Sequence, residues 1–278
     1  MTAPLGRTRI FLPLISFTGT ISVLAAELRP DTVSAWNRYA ELTEARIDGE
    51  LSDASTGEGF LVFDHLDPAD RSRCEQEVSA GRVCIVQLQT LDGEGKRIDV
   101  PEGMIHHWYG AIRVPGASLE EVLDWVQTYD GHEVYYPEVE ESRLISRDGD
   151  VFDIFLRLKR TKVITVHYST DHQVTYQRHP PNAASSRSIA TRIQEIEDAG
   201  KPNERNKPQG NDSGYLWRLN SYWRFQEQDG GTFVECESIS LSRDVPVAAL
   251  WLIRSFLSSV PRESLESTLV PIRANLAK

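Results

Sequence analysis

The chain has 278 residues, of which 40% are hydrophobic and 26% charged, so it can bury the core of one large domain or of a domain with an extension. Its formal net charge of −11 argues against nucleic acid and anionic membrane surfaces as partners. Three cysteines are too few for a disulfide scaffold; Cys74 and Cys84 are the only pair close in sequence, and the alternatives are one bridge between them or three buried thiols.

Residues 1–25 predict a secretory signal peptide. Arg7 and Arg9 precede an apolar stretch over residues 10–24, which ends in small residues suited to cleavage. The alternative, an uncleaved membrane anchor, is less favoured, because the stretch is shorter than the ~20 apolar residues of a spanning helix and is interrupted by polar residues and a proline. We therefore expect a periplasmic or secreted protein with no membrane span after cleavage.

Residues 27–100 are predicted to form an N-terminal α/β extension. Pro30–Leu51 has apolar residues at helical spacing, and Pro68–Ala80 indicates a second helix. Val83–Leu91 alternates apolar and polar residues, as a strand does. An extension of this kind offers a surface for an envelope partner.

Residues 101–278 are predicted to form the main domain. A strand over Ile105–Val114 precedes Ser118-x-x-Glu121, the capping box of a helix that ends before Asp130-Gly131. Further strands are predicted at 142–146, 151–158, 162–168, 173–178 and 186–197, with turns at Asp148-Gly149 and Thr170-Asp171.

A polar loop and a long helix belong to the same domain. Gly200–Asp212 is rich in Pro, Gly and Asn, which predicts a mobile lid or a disordered surface insert. Leucines and isoleucines keep to one stripe from Leu250 to Leu276, which predicts a helix that Pro261 kinks or restarts and Pro271 disturbs.

Between the loop and the helix, Tyr215–Phe225 alternates like a half-buried strand and leads into a second strand. Taking Gly230-Gly231 as the turn pairs Phe225 with Cys236, Trp223 with Ser238, Ser221 with Ser240 and Arg224 with Glu237. One face of this hairpin then sets bulky aromatics opposite small hydroxyls. Such a face leaves space for a helix or a ligand, so we interpret it as a pocket wall.

This order of elements resembles the helix-grip fold of the START and polyketide-cyclase-like superfamily. The likeness covers roughly residues 103–277 and is clearest in IHHWYGAIRVPGASLEEVLDWVQTYDGHEVYYPEV at 105–139 and GYLWRLNSYWRFQEQDGGTFVECESISLSRDVP at 214–246, which are similar to exported bacterial START-like proteins. The resemblance implies an α+β fold, with a curved antiparallel sheet wrapped around a long C-terminal helix and an apolar ligand held between them. It carries over no catalytic residue, because the superfamily has no universal one.

The candidate ligand-binding residues follow from that hollow. Arg192, if it faces inward, would suit a carboxylate or phosphate headgroup, and the alternative is a surface cross-strand partner for a neighbouring glutamate. The tryptophans of the hairpin could equally be core. The full set of candidates is Trp217, Leu219, Ser221, Trp223, Ser238, Ser240, Arg192, Tyr135 and Tyr136.

No metal site, cofactor or catalytic residue is predicted. His106 and His107 are adjacent on a strand and would point to opposite faces, so they cannot readily chelate one metal. The sequence has no G-x-S-x-G elbow, and no cysteine stands beside a histidine.

These features favour an exported binding or carrier protein for an apolar or amphipathic small molecule such as a lipid, sterol or polyketide-like compound. The alternatives are a cyclase or dehydratase type of enzyme that uses the same pocket, with Tyr135 or a histidine as general acid, and a non-catalytic envelope interaction module.

Overall fold

The computed structural model describes residues 26–54, 59–161, 165–208 and 211–244 and, from residue 250, the C-terminal helix, whose side chains it describes at 259 and from 262 onward. The predicted signal peptide at 1–25 lies outside the described residues.

A curved antiparallel sheet of nine strands carries the fold. Its path is β2-β3-β11-β10-β7-β6-β5-β4, with β8 attached to β7, and a separate two-stranded sheet pairs β1 with β9. The strands are β1 Ala26–Glu27, β2 Cys84–Gln87, β3 Gly103–Pro115, β4 Val139–Asp148, β5 Val151–Thr161, β6 Thr165–His179, β7 Ala183–Glu197, β8 Arg205–Asn206, β9 Asn211–Asp212, β10 Arg218–Gln228 and β11 Gly231–Arg243.

Within the described ranges, four α-helices pack on this sheet. They are α1 Pro30–Asp53, α2 Pro68–Ser79, α3 Leu119–Val126 and α4 Leu250–Leu276, with short 3-10 turns at Val62–His65 and His132–Val134. The capping box predicted for α3 is present, because Ser118 accepts from the backbone N–H of Glu121 and the Glu121 carboxylate accepts from that of Ser118. α4 runs unbroken through Pro261 and Pro271, so the predicted kink does not end the helix.

The concave face of the sheet holds α3 and α4. Leu265, Leu269 and Ile272 of α4 are buried in one cluster with Ile112 of β3. Gly110 of β3 makes this contact close, since a Cβ there would lie 2.8 Å from a Leu269 methyl carbon. The chain therefore forms the predicted helix-grip arrangement, and the predicted α+β fold class is confirmed.

The convex face is covered by residues 27–100. Trp36 and Ile47 of α1 pack on Tyr222 and Ile239, and β2 joins the same sheet as its edge strand. A disulfide joins Cys74 of α2 to Cys84 of β2, one of the two alternatives that the sequence left open. The division of the chain at residue 100 stays a prediction.

The β10–β11 hairpin turns one residue earlier than predicted. Asp229 and Gly230 occupy the turn, both with positive φ (54° and 73°), as a type I′ turn requires. Trp223 consequently pairs with Cys236, not Ser238, and Ser221 pairs with Ser238, not Ser240. The pairs shift by two residues, so the side chains within β10 and β11 keep their predicted faces. Gly231 is needed for another reason: a Cβ there would lie 2.6 Å from the Val114 carbonyl oxygen of β3.

The outer face of this hairpin is not half exposed as predicted. Arg224 pairs with Glu235, not Glu237, and both side chains are buried beneath the extension.

Two further predictions from the sequence are corrected. Thr170-Asp171 is not a turn, because β6 runs without interruption from Thr165 to His179. On the neighbouring strand β7, the pairing skips Thr191, which leaves a β-bulge between Ala190 and Arg192. The second correction concerns residues 200–212, predicted as a mobile lid or a disordered insert. The described part of this segment contains the short strands β8 and β9.

Candidate ligand-binding cavity

A cavity of about 360 Å³ lies between the concave face of the sheet and α4. Its floor is formed by β3, β5, β6, β7, β10 and β11, and the segment after α3 closes one side. The volume is at the small end of the ~300–1,000 Å³ typical of ligand pockets.

Hydroxyl groups lie across the middle of the floor. Ser221 of β10 pairs directly with Ser188 of β7 on one side and Ser238 of β11 on the other. Val174 and Trp108 continue this row on the outer strands β6 and β3. We call Ser188, Ser221 and Ser238 the serine row; all three line the cavity.

Two further rows flank the serine row on the same face. On one side lie Tyr176, Ser186, Trp223 and Cys236, each paired with the next across neighbouring strands. The Trp223 ring is stacked parallel to that of Phe225, with centroids 6.1 Å apart. The floor therefore combines aromatic rings with small polar groups.

On the other side of the serine row lie Leu219, Ser240 and His106, with His172 on β6. His106 Nε2 is 2.9 Å from the Ser242 hydroxyl, and His172 Nε2 is 3.0 Å from the Thr170 hydroxyl. Burial lowers the pKa of each imidazole to about 4. Both side chains are thus neutral at pH 7 and add hydrogen-bonding capacity without charge.

An aromatic cluster closes the side of the cavity next to α3. The Tyr129 and Tyr176 hydroxyls are 2.8 Å apart, and the His132 ring contacts Tyr129 and Tyr136 with centroids 5.3 and 5.0 Å away. Burial lowers the pKa of His132 to about 4 and raises that of Tyr136. His132 Nε2 is buried and has no hydrogen-bond partner among the described residues.

Charged side chains meet where α4 crosses the end of β5. Glu138 accepts from the Ser264 and Ser267 hydroxyls of α4 at 2.8 and 3.1 Å and pairs with Arg160 of β5. Lys159, which is half exposed, also lines the cavity here. These contacts tie α4 to the sheet edge, and they place the charges away from the serine row.

The structure places six of the predicted residues in the cavity wall: Leu219, Ser221, Trp223, Ser238, Ser240 and Tyr136. Their role as ligand contacts stays a prediction. The residues that sequence reasoning missed lie on other strands, chiefly Trp108, His172, Tyr176 and Ser188. Ser186 and Ser188 are two residues apart, like the inward-facing residues of the hairpin, and this spacing could have identified both as lining residues.

Trp217 does not line the cavity. It precedes the first residue of β10, so the alternation of that strand does not extend to it. Its ring is buried in the cluster beneath α1, and its Nε1 donates to Asp212 at 3.1 Å.

Arg192 also lies outside the cavity, because of the bulge at Thr191. Regular alternation would place Arg192 on the face of Ser188 and Ala190, but the extra residue reverses the order beyond it. Arg192 Nε donates to Asp171 at 2.7 Å on the outer face. The surface alternative is therefore right about the face, but the partner is an aspartate and not the predicted glutamate.

Tyr135 is 44% exposed and lies outside the cavity wall. It follows the 3-10 turn at His132–Val134, and its ring packs against Trp125 with centroids 5.4 Å apart. Its neighbour Tyr136 is the tyrosine that faces the cavity.

His106 and His107 point to opposite faces, as predicted. His106 lines the cavity, whereas His107 bonds to Tyr39 and Glu237 on the convex side. Within the described part of the chain, no group of three or more His, Cys, Asp or Glu side chains is placed to hold a metal ion. Within that same part, no helix has the length and apolarity of a membrane span.

The sheet, the gripped helix and the cavity between them form the helix-grip arrangement that the sequence predicted. No protein-family profile matches the sequence, and no curated protein does.

Solved structures provide the likeness. The chain is similar to the STAR-related lipid transfer protein of Xanthomonas axonopodis, with 15% identity, 69% of this chain and 98% of that chain covered, and a TM-score of 0.44. It is similar to the ZhuI aromatase/cyclase of Streptomyces sp. R1128 (11% identity, 62% and 94% covered, TM-score 0.43). It is also similar to human STARD10 (10% identity, 76% and 81% covered, TM-score 0.45). At these identities the likeness concerns the fold alone.

Proposed function

We propose that this protein binds or carries an apolar or amphipathic small molecule in the cavity between the sheet and α4. The observation that carries the proposal is the cavity itself: it is lined mainly by aromatic and aliphatic side chains, with a few polar groups at fixed positions. Core packing ordinarily leaves few voids larger than a water molecule, so the size of this hollow, about 360 Å³, supports a role in ligand binding.

We further propose that the protein is exported. The predicted signal peptide supports export, and so does the Cys74–Cys84 disulfide, because such bonds persist in oxidising compartments. N-terminal sequencing of the protein from its own cells tests this proposal. A mature chain that begins near residue 26 is expected, and an intact Met1 in the cytosol would contradict it.

The experiment for ligand binding is native mass spectrometry of protein purified from its own compartment, followed by extraction and identification of any bound molecule. A stoichiometric small molecule is the expected result. A protein that arrives empty and takes up neither a fluorescent fatty acid, a fluorescent sterol nor a flat aromatic probe would contradict the proposal.

An enzymatic role is the second candidate, and one observation favours it. His132 is a neutral imidazole in the cavity wall, next to Tyr129 and Tyr136, and its Nε2 has no hydrogen-bond partner among the described residues. Such a group could accept a proton from a bound substrate. Conversion of an added polyketide or aromatic substrate, abolished by His132→Phe, would support the enzyme; unchanged recovery of the bound molecule supports the carrier.

A further inference from the structure

The serine row places polar hydroxyls in the middle of the cavity floor. Apolar side chains at these positions would suit a purely apolar ligand better. Ser188, Ser221 and Ser238 are direct neighbours on three adjacent strands. With strands ~4.8 Å apart, their hydroxyls span about 10 Å across the floor. Val174 and Trp108 flank the row, so the polar strip has apolar ends.

The hydroxyls of this floor retain hydrogen-bonding capacity. Neither Ser238 nor the adjacent Ser240 makes a side-chain hydrogen bond with any described residue, and the Ser188 hydroxyl has only a long contact of 3.5 Å to His172 Nδ1. Ser221 bonds to the Cys236 thiol, a weak partner. A buried hydroxyl without a good partner is unfavourable, so a ligand that covers the floor must supply partners or leave these groups unsatisfied.

The residues around the serine row indicate which kind of ligand group can hydrogen-bond to its hydroxyls. The floor groups are hydroxyls and imidazoles without charge. The charged residues at the α4 side of the cavity are paired, Glu138 with Arg160 and Lys159 with Glu140. Neutral oxygens therefore fit the floor better than a carboxylate or phosphate. Trp108 at the end of the row and Trp223 beside it add aromatic side chains to the floor, and these pack favourably against ring systems.

We infer that the ligand is a flat, ring-containing molecule with neutral hydroxyl or carbonyl oxygens that hydrogen-bond to Ser221 and Ser238, rather than an unsubstituted acyl chain. This specificity rests on the proposed ligand-binding function and assigns the serine row as its determinant. An acyl chain laid on the same floor would cover the hydroxyls without pairing them.

The test compares two fluorescent probes, 3-hydroxyflavone and a fluorescent fatty acid, on the full mature chain. Cys236 lines the cavity and its thiol is free. Burial raises the pKa of this thiol, so it reacts slowly with a thiol reagent, and a bound probe that slows this reaction further reports occupancy of this site. We expect 3-hydroxyflavone to bind and to protect Cys236. The double variant Ser221→Ala/Ser238→Ala should weaken its binding by about tenfold or more, since two hydrogen bonds are lost. Binding of the fatty acid should be unchanged or tighter.

Two control variants separate hydrogen bonding from packing. Ser221→Thr/Ser238→Thr keeps both hydroxyls and should retain flavone binding, whereas Ser146→Ala, on the exposed edge strand β4, should change nothing. Three results would overturn the inference and leave the proposed function intact. The alanine variant could lose affinity for both probes equally, or it could bind 3-hydroxyflavone as tightly as the unaltered protein. The unaltered protein could also bind the fatty acid but not 3-hydroxyflavone. Failure of every probe to bind and to protect Cys236 would overturn both.

Discussion

The two faces of the β10–β11 hairpin are both covered, but in opposite ways. On the convex side the chain fills the space itself, and the buried charged side chains of the hairpin have partners there: Arg224 is 2% exposed, pairs with Glu50 of α1 and donates to the Phe60 carbonyl at 2.8 Å. On the concave side the hairpin offers hydroxyls and aromatic rings to a cavity. The difference indicates that the chain's own residues pack the convex face, whereas the concave face has space that another molecule can fill.

The convex side contains further buried carboxylates next to Arg224. Glu235 accepts from the Tyr109 hydroxyl and from the backbone N–H groups of Val62 and Phe63 at 2.5 to 3.1 Å. Glu237 accepts from His107 and pairs with Arg46 of α1. The extension is therefore fastened to the sheet by a network in which removal of one charge leaves others uncompensated.

The largest expected effect is at Arg224. Arg224→Ala should lower the free energy of unfolding by about 3–5 kcal/mol, because buried carboxylates lose their cation. Urea unfolding measures the loss. The matched control is Arg187→Ala, which removes partly exposed pairs with Glu44 and Asp48 and should cost less than about 1 kcal/mol. Equal losses at the two arginines would contradict a special role for the buried network.

Removing the disulfide should have the next largest effect. Cys74→Ser/Cys84→Ser opens a bridge between residues 10 apart, and the unfolded chain regains freedom worth about 2–3 kcal/mol. Urea midpoints of the oxidised protein and the double variant give the difference. An unchanged midpoint would show that the extension is held on the sheet by its contacts alone.

The pH dependence of stability should distinguish the two faces. Burial raises the pKa of Glu235 to about 7, above its ordinary value of 4.5, so the stability it contributes is complete below pH 4.5 and is lost as the pH rises to about 7. His106, His132 and His172 on the concave side act in the opposite sense: stability present above pH 6.5 is lost as the pH falls towards 4.

Glu235→Gln removes the first of these contributions. Relative to the unaltered protein, the variant should become more stable as the pH is raised from 5 to 7, as measured by urea unfolding at each pH. Relative to the unaltered protein, His172→Gln should become more stable as the pH is lowered from 6.5 to 4.5. Parallel pH profiles for all three proteins would show that these groups are not buried as described.

The smallest expected effect on stability is at Ser238. Ser238→Trp points into the cavity, so it should leave the thermal midpoint within a few degrees while abolishing uptake of an environment-sensitive fluorescent fatty acid or sterol. The next residue on the strand, Ile239, faces the packed convex side, and Ile239→Trp should cost at least about 1–3 kcal/mol through overpacking. Severe destabilisation by Ser238→Trp would mean a solid core on the concave side.

Sequence alternation predicted the faces of the hairpin better than its pairs. Placing the turn at Gly230-Gly231 was wrong by one residue, but the pairs shifted by two, so Ser221, Trp223 and Ser238 kept their side. The fold class could be predicted from the sequence for the same reason. The hydrophobic periods of strands and helices identify these elements even when their boundaries are misplaced by a few residues.

The remaining errors come from features that local patterns do not contain. The bulge that turns Arg192 outward is a property of the pairing between β6 and β7, and a single sequence shows no sign of it. Nor does alternation reveal that the outer face of the hairpin is buried, because the covering residues such as Glu50 are 174 positions away from Arg224 in the chain.

The bulge at Thr191 absorbs a one-residue difference in length between β7 and its neighbour β6. Deleting Thr191 would remove the bulge and leave His172 opposite Ala190 and Asp171 opposite Arg192, so each side chain would keep its present face. Regular pairing of the unaltered strand would instead turn Arg192 to the concave face, so this one extra residue keeps a guanidinium charge out of the cavity.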